Sequence, residues 1–156
     1  MRAAQMTAVS LPRLVRMPAS NDELSTIREQ VLQRHLEAER SADPEAILAT
    51  FTHPRYELVG NGRVYDGASE VRGYLVERAK VFPDLHTDVI HLWHSPDVVA
   101  AELWLNGSHQ SGIADVAAAP GRKFRVRTAC FFLFAGDGLV GVRAYFDSGT
   151  IARQLA

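Results

Sequence analysis

Apolar residues recur at helical spacing through the first half of the chain and at strand spacing through the second. Leu24, Ile27, Val31, Leu32, His35 and Leu36 form one stripe that runs to about residue 39, the three-and-four spacing of an amphipathic helix. Ser20-Asn-Asp-Glu23 lies just ahead of it and has the spacing of a capping box, which predicts the helix start. Asp43-Pro44-Glu45 opens a second, shorter helix with an N-cap and a proline at the first helical position, and Ile47, Leu48 and Phe51 are its inward side. Residues 55–59 and 63–65 flank Gly60-Asn-Gly62, which reads as a hairpin whose turn needs positive φ. Asp66 to Ser69 then supplies a helix start, and Val71, Tyr74, Leu75, Arg78 and Phe82 trace a third helix that Pro83 terminates.

From Leu85 onward the period shortens to two. The pattern predicts strands over 85–94, 98–106, 123–134 and 139–147, with turns at Ser95-Pro-Asp97 and Ala135-Gly-Asp-Gly138. A last helical turn or two follows at 150–155. Helices first and strands second, with no βαβ alternation, define an α+β class: an antiparallel meander with the helices on one face. Along the third long strand Ala129, Phe131 and Leu133 share one face while Cys130, Phe132 and Phe134 share the other. A strand apolar on both faces needs two covers, and the helices supply one. A second subunit is the expected other cover, giving a homodimer through the outer sheet face.

Composition narrows this further. The 156 residues suit one domain with one core, assigned to 20–156, preceded by an arm at 1–19. With 47% hydrophobic residues and a formal net charge of -1, the chain lacks the electrostatic footprint of a nucleic-acid binder and the charge excess of a disordered protein. The expected partner is a small hydrophobic molecule, not nucleic acid or membrane. Residues 1–19 carry three arginines and no acid, but Pro12, Arg13 and Arg16 interrupt any apolar stretch, so an extended arm is expected and not a secretory signal. A single cysteine, Cys130, excludes an internal disulfide and fits a reducing compartment, so the expected location is the cytoplasm.

The order helix-helix-hairpin-helix-meander, with Gly62-Arg-Val-Tyr-Asp-Gly67, Phe82-Pro-Asp-Leu85, Leu105-Asn-Gly-Ser-His109, Gly121-Arg-Lys-Phe124, Tyr145-Phe-Asp147 and Gln154-Leu155, resembles the nuclear transport factor 2-like superfamily. Within it the resemblance is to the SnoaL-like polyketide cyclase or ester cyclase branch, over roughly 24–156. It implies a cone: a strongly curved, mostly antiparallel sheet, three N-terminal helices over it, a short C-terminal helix, and an apolar pocket between. It also implies an acidic side chain in that pocket, often with a histidine, working as acid and base on an enolisable carbonyl compound with no metal or organic cofactor. The fold hosts many activities, and non-catalytic binding or dimerisation modules among them, so a module of that kind is the alternative.

Asp147 best matches such an acid. Arg143, Tyr145 and Asp147 share one strand face, and Val142, Ala144 and Phe146 the other. If the first set faces the pocket, Asp147 is a general base beside a phenol and a guanidinium. The competing reading is that Asp147 caps the terminal helix. His109, after Gly107-Ser108, is the second candidate, since a glycine bulge there can re-aim it and imidazole titrates near neutrality; Tyr145 is the third, as a donor to an enolate oxygen. Tyr56, Glu57 and Tyr65 on the first hairpin, Glu102 and Trp104 on a later strand, and Phe132 are candidate ligand contacts. The related limonene epoxide hydrolases place a catalytic aspartate where Ala144 stands and an Arg-x-Asp pair on an earlier strand that has none here, so that chemistry is not expected. His86, His91 and His94 alternate faces and do not converge on one metal; His35 and His53 stand alone. No Ser-His-Asp order, P-loop or dinucleotide fingerprint is present.

Overall fold

A stripe of Ile27, Val31, Leu32, His35 and Leu36 gives the first helix, α1 (Asn21–Ser41), its buried side. The computed structural model describes residues 21–110 and 120–156; the arm expected at 1–19 and Ser20 of the expected capping box lie outside the described residues. Asp43 caps α2 (Pro44–Leu48) by accepting from the Glu45 amide at 2.9 Å. β1 (Arg55–Leu58) and β2 (Arg63–Asp66) form the expected hairpin. The third helix, α3 (Ala68–Val81), starts at Gly67 and not on a side chain from 66–69; Glu70 instead reaches back to the Asp66 amide at 2.9 Å.

Four long strands follow: β3 (His86–His94), β4 (Val98–Ser108), β5 (Lys123–Ala135) and β6 (Gly138–Phe146), and then α4 (Ser148–Leu155). The sheet is curved and unclosed, in the order β2-β1-β6-β5-β4-β3. Only β1 against β6 is parallel; β3 to β6 form the antiparallel meander read from the pattern. Gly136, at φ 63 in the two-residue turn between β5 and β6, holds a conformation that a side chain disfavours.

Strict alternation along β5 makes the sheet two-sided. Phe124, Val126, Thr128, Cys130, Phe132 and Phe134 are buried toward the helices, while Lys123, Arg125, Arg127 and Ala129 are exposed. Phe131 and Leu133, on the outer face, are half-buried. One core lies between the helices and the inner face; a smaller one, around Phe124, Val126 and Leu155, seats α4 against the other end of the sheet. Gln154 fixes that seat by accepting from the Arg125 amide at 2.7 Å and donating to the Arg125 carbonyl at 3.2 Å.

Arg28 ties α1 to both long hairpins. Its guanidinium is buried, donates to the Gly136 carbonyl through Nε at 2.9 Å and Nη2 at 2.7 Å, reaches the Pro96 carbonyl in the β3–β4 turn, and lies 5.4 Å over the Phe134 ring. A buried cation satisfied by backbone oxygens in two separate turns sets where the helix lies on the sheet.

Candidate functional site

Between the helices and the inner face lies a cavity of about 570 Å³, within the size range of small-molecule sites. Leu58, Leu103, Leu105, Phe132, Val142 and Phe146 give it apolar walls, and Ile151, Ala152 and Leu155 of α4 contribute at one end. Asn61, Arg63, Glu77 and Ser148 are both cavity-lining and exposed, so they mark where it meets solvent.

At one end the wall turns polar. His35 and Glu39, one turn apart on α1, meet Tyr56 of β1 and Tyr74 and Arg78 of α3. The Tyr56 hydroxyl donates to Glu39 Oε1 at 2.6 Å and lies 3.2 Å from His35 Nε2. Arg78 Nη1 donates to the same Glu39 oxygen at 3.1 Å, and its guanidinium sits 5.4 Å over the Tyr74 ring. His35 Nδ1 is 2.7 Å from Thr50 Oγ1, and that hydroxyl donates onward to the Ile47 carbonyl at 2.6 Å. Thr50 and Tyr56 both give their own protons elsewhere, so each presents an oxygen that can accept N–H from a ring nitrogen of His35; in the neutral tautomer that keeps Nδ1–H on Thr50, the shorter contact, Nε2 carries the lone pair.

The protonation states follow from burial and charge. Burial pushes the His35 pKa down, opposed by Glu39, so the imidazole is neutral near pH 7. Burial by itself would raise the Glu39 carboxyl; Arg78, His35 and the Tyr56 hydroxyl override it and hold the pKa at about 2. Burial and then Glu39 push the Tyr56 phenol well above its ordinary value. Burial raises the Tyr74 phenol as well, so the cluster holds one carboxylate, one guanidinium, a neutral imidazole and two neutral phenols, with no net charge.

The residues proposed from sequence divide sharply. Tyr56, Tyr65 and Phe132 line the cavity, Tyr65 being stacked on Tyr74 with ring centroids 4.6 Å apart. The other six do not. On β6 it is Val142, Ala144 and Phe146 that face inward, so the expectation that Arg143, Tyr145 and Asp147 face the pocket is corrected by one residue of phase. Asp147 caps α4: one oxygen accepts from the Thr150 amide at 3.0 Å, the other from the Thr150 hydroxyl at 2.5 Å, and the side chain is 64% exposed. Those Thr150 bonds lower its pKa, the opposite of what a general base needs. Tyr145 is exposed on the outer face, edge-on to Phe131 at 5.6 Å.

Glu57 pairs with Arg143 at 2.7 Å and Glu102 with Arg127 at 3.0 Å, both on the outer face. Trp104 is there too, with Arg125 and Arg127 4.4 and 4.7 Å from its ring centre. His109 is buried but stands outside the cavity wall, edge-on to Phe82 at 6.1 Å, and neither ring nitrogen has a hydrogen-bond partner among the described residues. The expected bulge at Gly107 is absent, because the β4–β5 register runs through it without a shift. The glycine is there for space: a Cβ would lie 2.9 Å from the Phe124 ring.

Sequence reasoning missed the polar cluster. The pattern along the chain leaves His35 isolated and puts Arg78 in an apolar stripe, yet that is the signal: titratable residues at inward positions of two helices, with Glu39 one turn beyond His35. Among the described residues no group of His, Cys, Asp and Glu is placed to hold a metal ion.

A curved sheet wrapped around an apolar cavity and roofed by helices is the ketosteroid isomerase-like architecture. A protein of that fold from Catenulispora acidiphila, solved in complex with trimethylamine, superposes with a TM-score of 0.70 at 16% identity over 81% of this chain and 92% of its own. A Xanthomonas campestris pv. campestris protein proposed to be a polyketide cyclase gives 0.77 at 16% identity over 85% and 99%. TsrD from Streptomyces laurentii gives 0.68 at 24% identity over 84% and 96%. No curated protein matches the chain in sequence. The SnoaL-like polyketide cyclase family profile matches residues 29–155, and the chain belongs to that family.

Proposed function

We propose that the protein binds a small, neutral, largely apolar carbonyl compound in the cavity and moves a proton on it without a cofactor, with His35 as proton acceptor. The observation that carries this is a charge-balanced polar cluster held at one end of a cavity whose walls are largely apolar. A charged ligand there would leave a charge unpaired away from water, which the chemistry disfavours.

In this reading His35 Nε2 takes a proton from the carbon next to the carbonyl, and the electron pair moves onto the carbonyl oxygen. Arg78, which keeps N–H donors beyond its bond to Glu39, donates to that oxygen as charge develops. The imidazolium formed is stabilised by Glu39, whose Oε1 is 3.7 Å from Nε2. The enolate then attacks a second carbonyl, closing a ring, or takes the proton back at another carbon, completing an isomerisation. Both outcomes return the proton from His35.

The test uses β-tetralone in deuterated buffer, following deuterium uptake at the carbon beside its carbonyl by NMR. Catalysed uptake that His35→Gln abolishes and Asp147→Asn leaves intact supports the reading; uptake unchanged in His35→Gln overturns it. A second reading, binding without turnover, is favoured by Asp147 serving as a helix cap. Binding of β-tetralone with no catalysed uptake would select it.

The outer face is further proposed to cover itself with a second copy of the chain. Trp93 is 52% exposed, and Phe131, Tyr145 and Trp104 stand among Arg125, Arg127, Glu57 and Glu102, an apolar centre with charges of both signs that suits self-association. Sedimentation at micromolar concentration should give a dimer; monomer alone overturns this. No described helix is long and apolar enough to cross a membrane, and the buried thiol of Cys130 supports a reducing, cytoplasmic setting.

A further inference from the structure

We infer that Thr50 is a positioning residue that fixes the tautomer of His35, holding the proton on Nδ1 and leaving Nε2 as the basic nitrogen. This deepens the proposed proton transfer and rests on it for the effect on turnover. Thr50 does not line the cavity, so it acts only through the imidazole. His35 does line it, with Nδ1 2.7 Å from Thr50 Oγ1 and Nε2 beside Tyr56 and Glu39 at the polar end.

The short second helix explains why that hydroxyl is held. Asp43 starts α2, the buried side chain of Ile47 pins it in the core, and the chain leaves the helix at Ala49. The Ile47 carbonyl then accepts both from the Thr50 amide, at 3.1 Å, and from the Thr50 hydroxyl, at 2.6 Å. With its proton committed there, Oγ1 offers a lone pair to Nδ1. Phe51 and Phe132 stand edge-on to the ring, 5.0 and 5.9 Å away between centroids, and keep its plane. No residue of α2 lines the cavity; the helix is the backing of the base.

Two oxygens compete for the one proton of a neutral ring. Tyr56 is the poorer partner, at 3.2 Å against 2.7 Å for Thr50, and Glu39, 3.7 Å from Nε2, already accepts from Tyr56 and Arg78. The Thr50 contact also survives proton transfer unchanged. The oxygen that accepts Nδ1–H in the free base accepts it in the imidazolium, and Nε2–H, once formed, has the Tyr56 oxygen to donate to. A hydroxyl turned the other way, donating to Nδ1, would have to rotate each time the ring took up a proton, a reorganisation that fixed contacts avoid.

The test reads the ring nitrogens by nitrogen NMR at about pH 8, where the imidazole is neutral, alongside deuterium uptake by β-tetralone. The His35 signals are those lost in His35→Gln. Wild type and Thr50→Ser should carry hydrogen on Nδ1 and none on Nε2, and Thr50→Ser should keep most of the wild-type rate. Thr50→Val should move the hydrogen to Nε2 and lower kcat about five- to a hundredfold with KM unchanged. Wild type protonated at Nε2, a result that needs no variant to fold, overturns the assignment; so does Thr50→Val with Nδ1 still protonated or kcat unchanged. Wild type with Nε2 bare but no catalysed uptake overturns the proton-transfer reading alone and leaves the tautomer assignment standing.

Discussion

Glu39 and Asp147 are both carboxylates near the ends of amphipathic elements, and their surroundings give them opposite work. Glu39 is held inside, 84% of its side chain out of water, between a guanidinium, a phenol and an imidazole. Asp147 stands at the mouth of a helix, mostly in water, satisfying an amide and a hydroxyl of Thr150. Both pKa values lie below the usual range, but for different reasons: Glu39 because paired charges override burial, Asp147 because local hydrogen bonds favour the anion. Residue type alone did not separate a buried electrostatic element from a cap. Packing did, by deciding which face of each element turned inward.

The difference is broken most directly by Arg78→Met, which leaves the Glu39 carboxylate buried without its cation. It should lower unfolding free energy by about 3–5 kcal/mol in urea titration, and Glu39→Gln added to it should recover most of the loss. Acid supplies the next largest effect, and its sign is fixed. The His35 pKa is lowered on folding from 6.5, so the unfolded chain takes up that proton first and stability declines as pH falls below 6.5. Glu39 drops from 4.5 to about 2 on folding, so its contribution is complete above 4.5 and lost as pH falls toward 2, amounting to about 3 kcal/mol. Denaturation curves across that range should show both limbs, with His35→Gln flattening the upper one.

Asp147→Ala should cost about 1 kcal/mol, as loss of an N-cap does, and Asp147→Ser should restore it; probe binding in the cavity should be untouched by either. Glu57→Gln, which breaks a half-exposed pair with Arg143, should shift stability by less than about 1 kcal/mol. A loss of ligand binding in Asp147→Ala, or a large loss of stability in Glu57→Gln, would overturn the division between inner and outer residues.

Most of the architecture was legible in the order of apolar residues. The stripe on α1, the Asp43-Pro44 start of α2, the stop at Pro83 and the two-residue turn at Gly136 each follow from local chemistry. The site was less legible because alternation says which residues share a face, not which face is covered. On β6 the set Val142, Ala144, Phe146 is the more apolar of the two and does turn inward; the pull of a matched acid at Asp147 pointed the other way. The cluster at His35, Glu39 and Arg78 joins residues from two helices that meet only after folding, so the one-turn spacing of His35 and Glu39 shows half of it and no spacing shows Arg78 as their partner. Polar residues on helical stripes were its only trace.

The lone thiol of Cys130 sits in the cavity wall, and burial pushes its pKa upward. A thiol kept protonated and walled in reacts slowly with alkylating reagents. Its labelling rate therefore records how often the wall parts, and a tenant in the chamber should slow it further. The protein carries its own occupancy gauge, readable by mass spectrometry with no engineered tag.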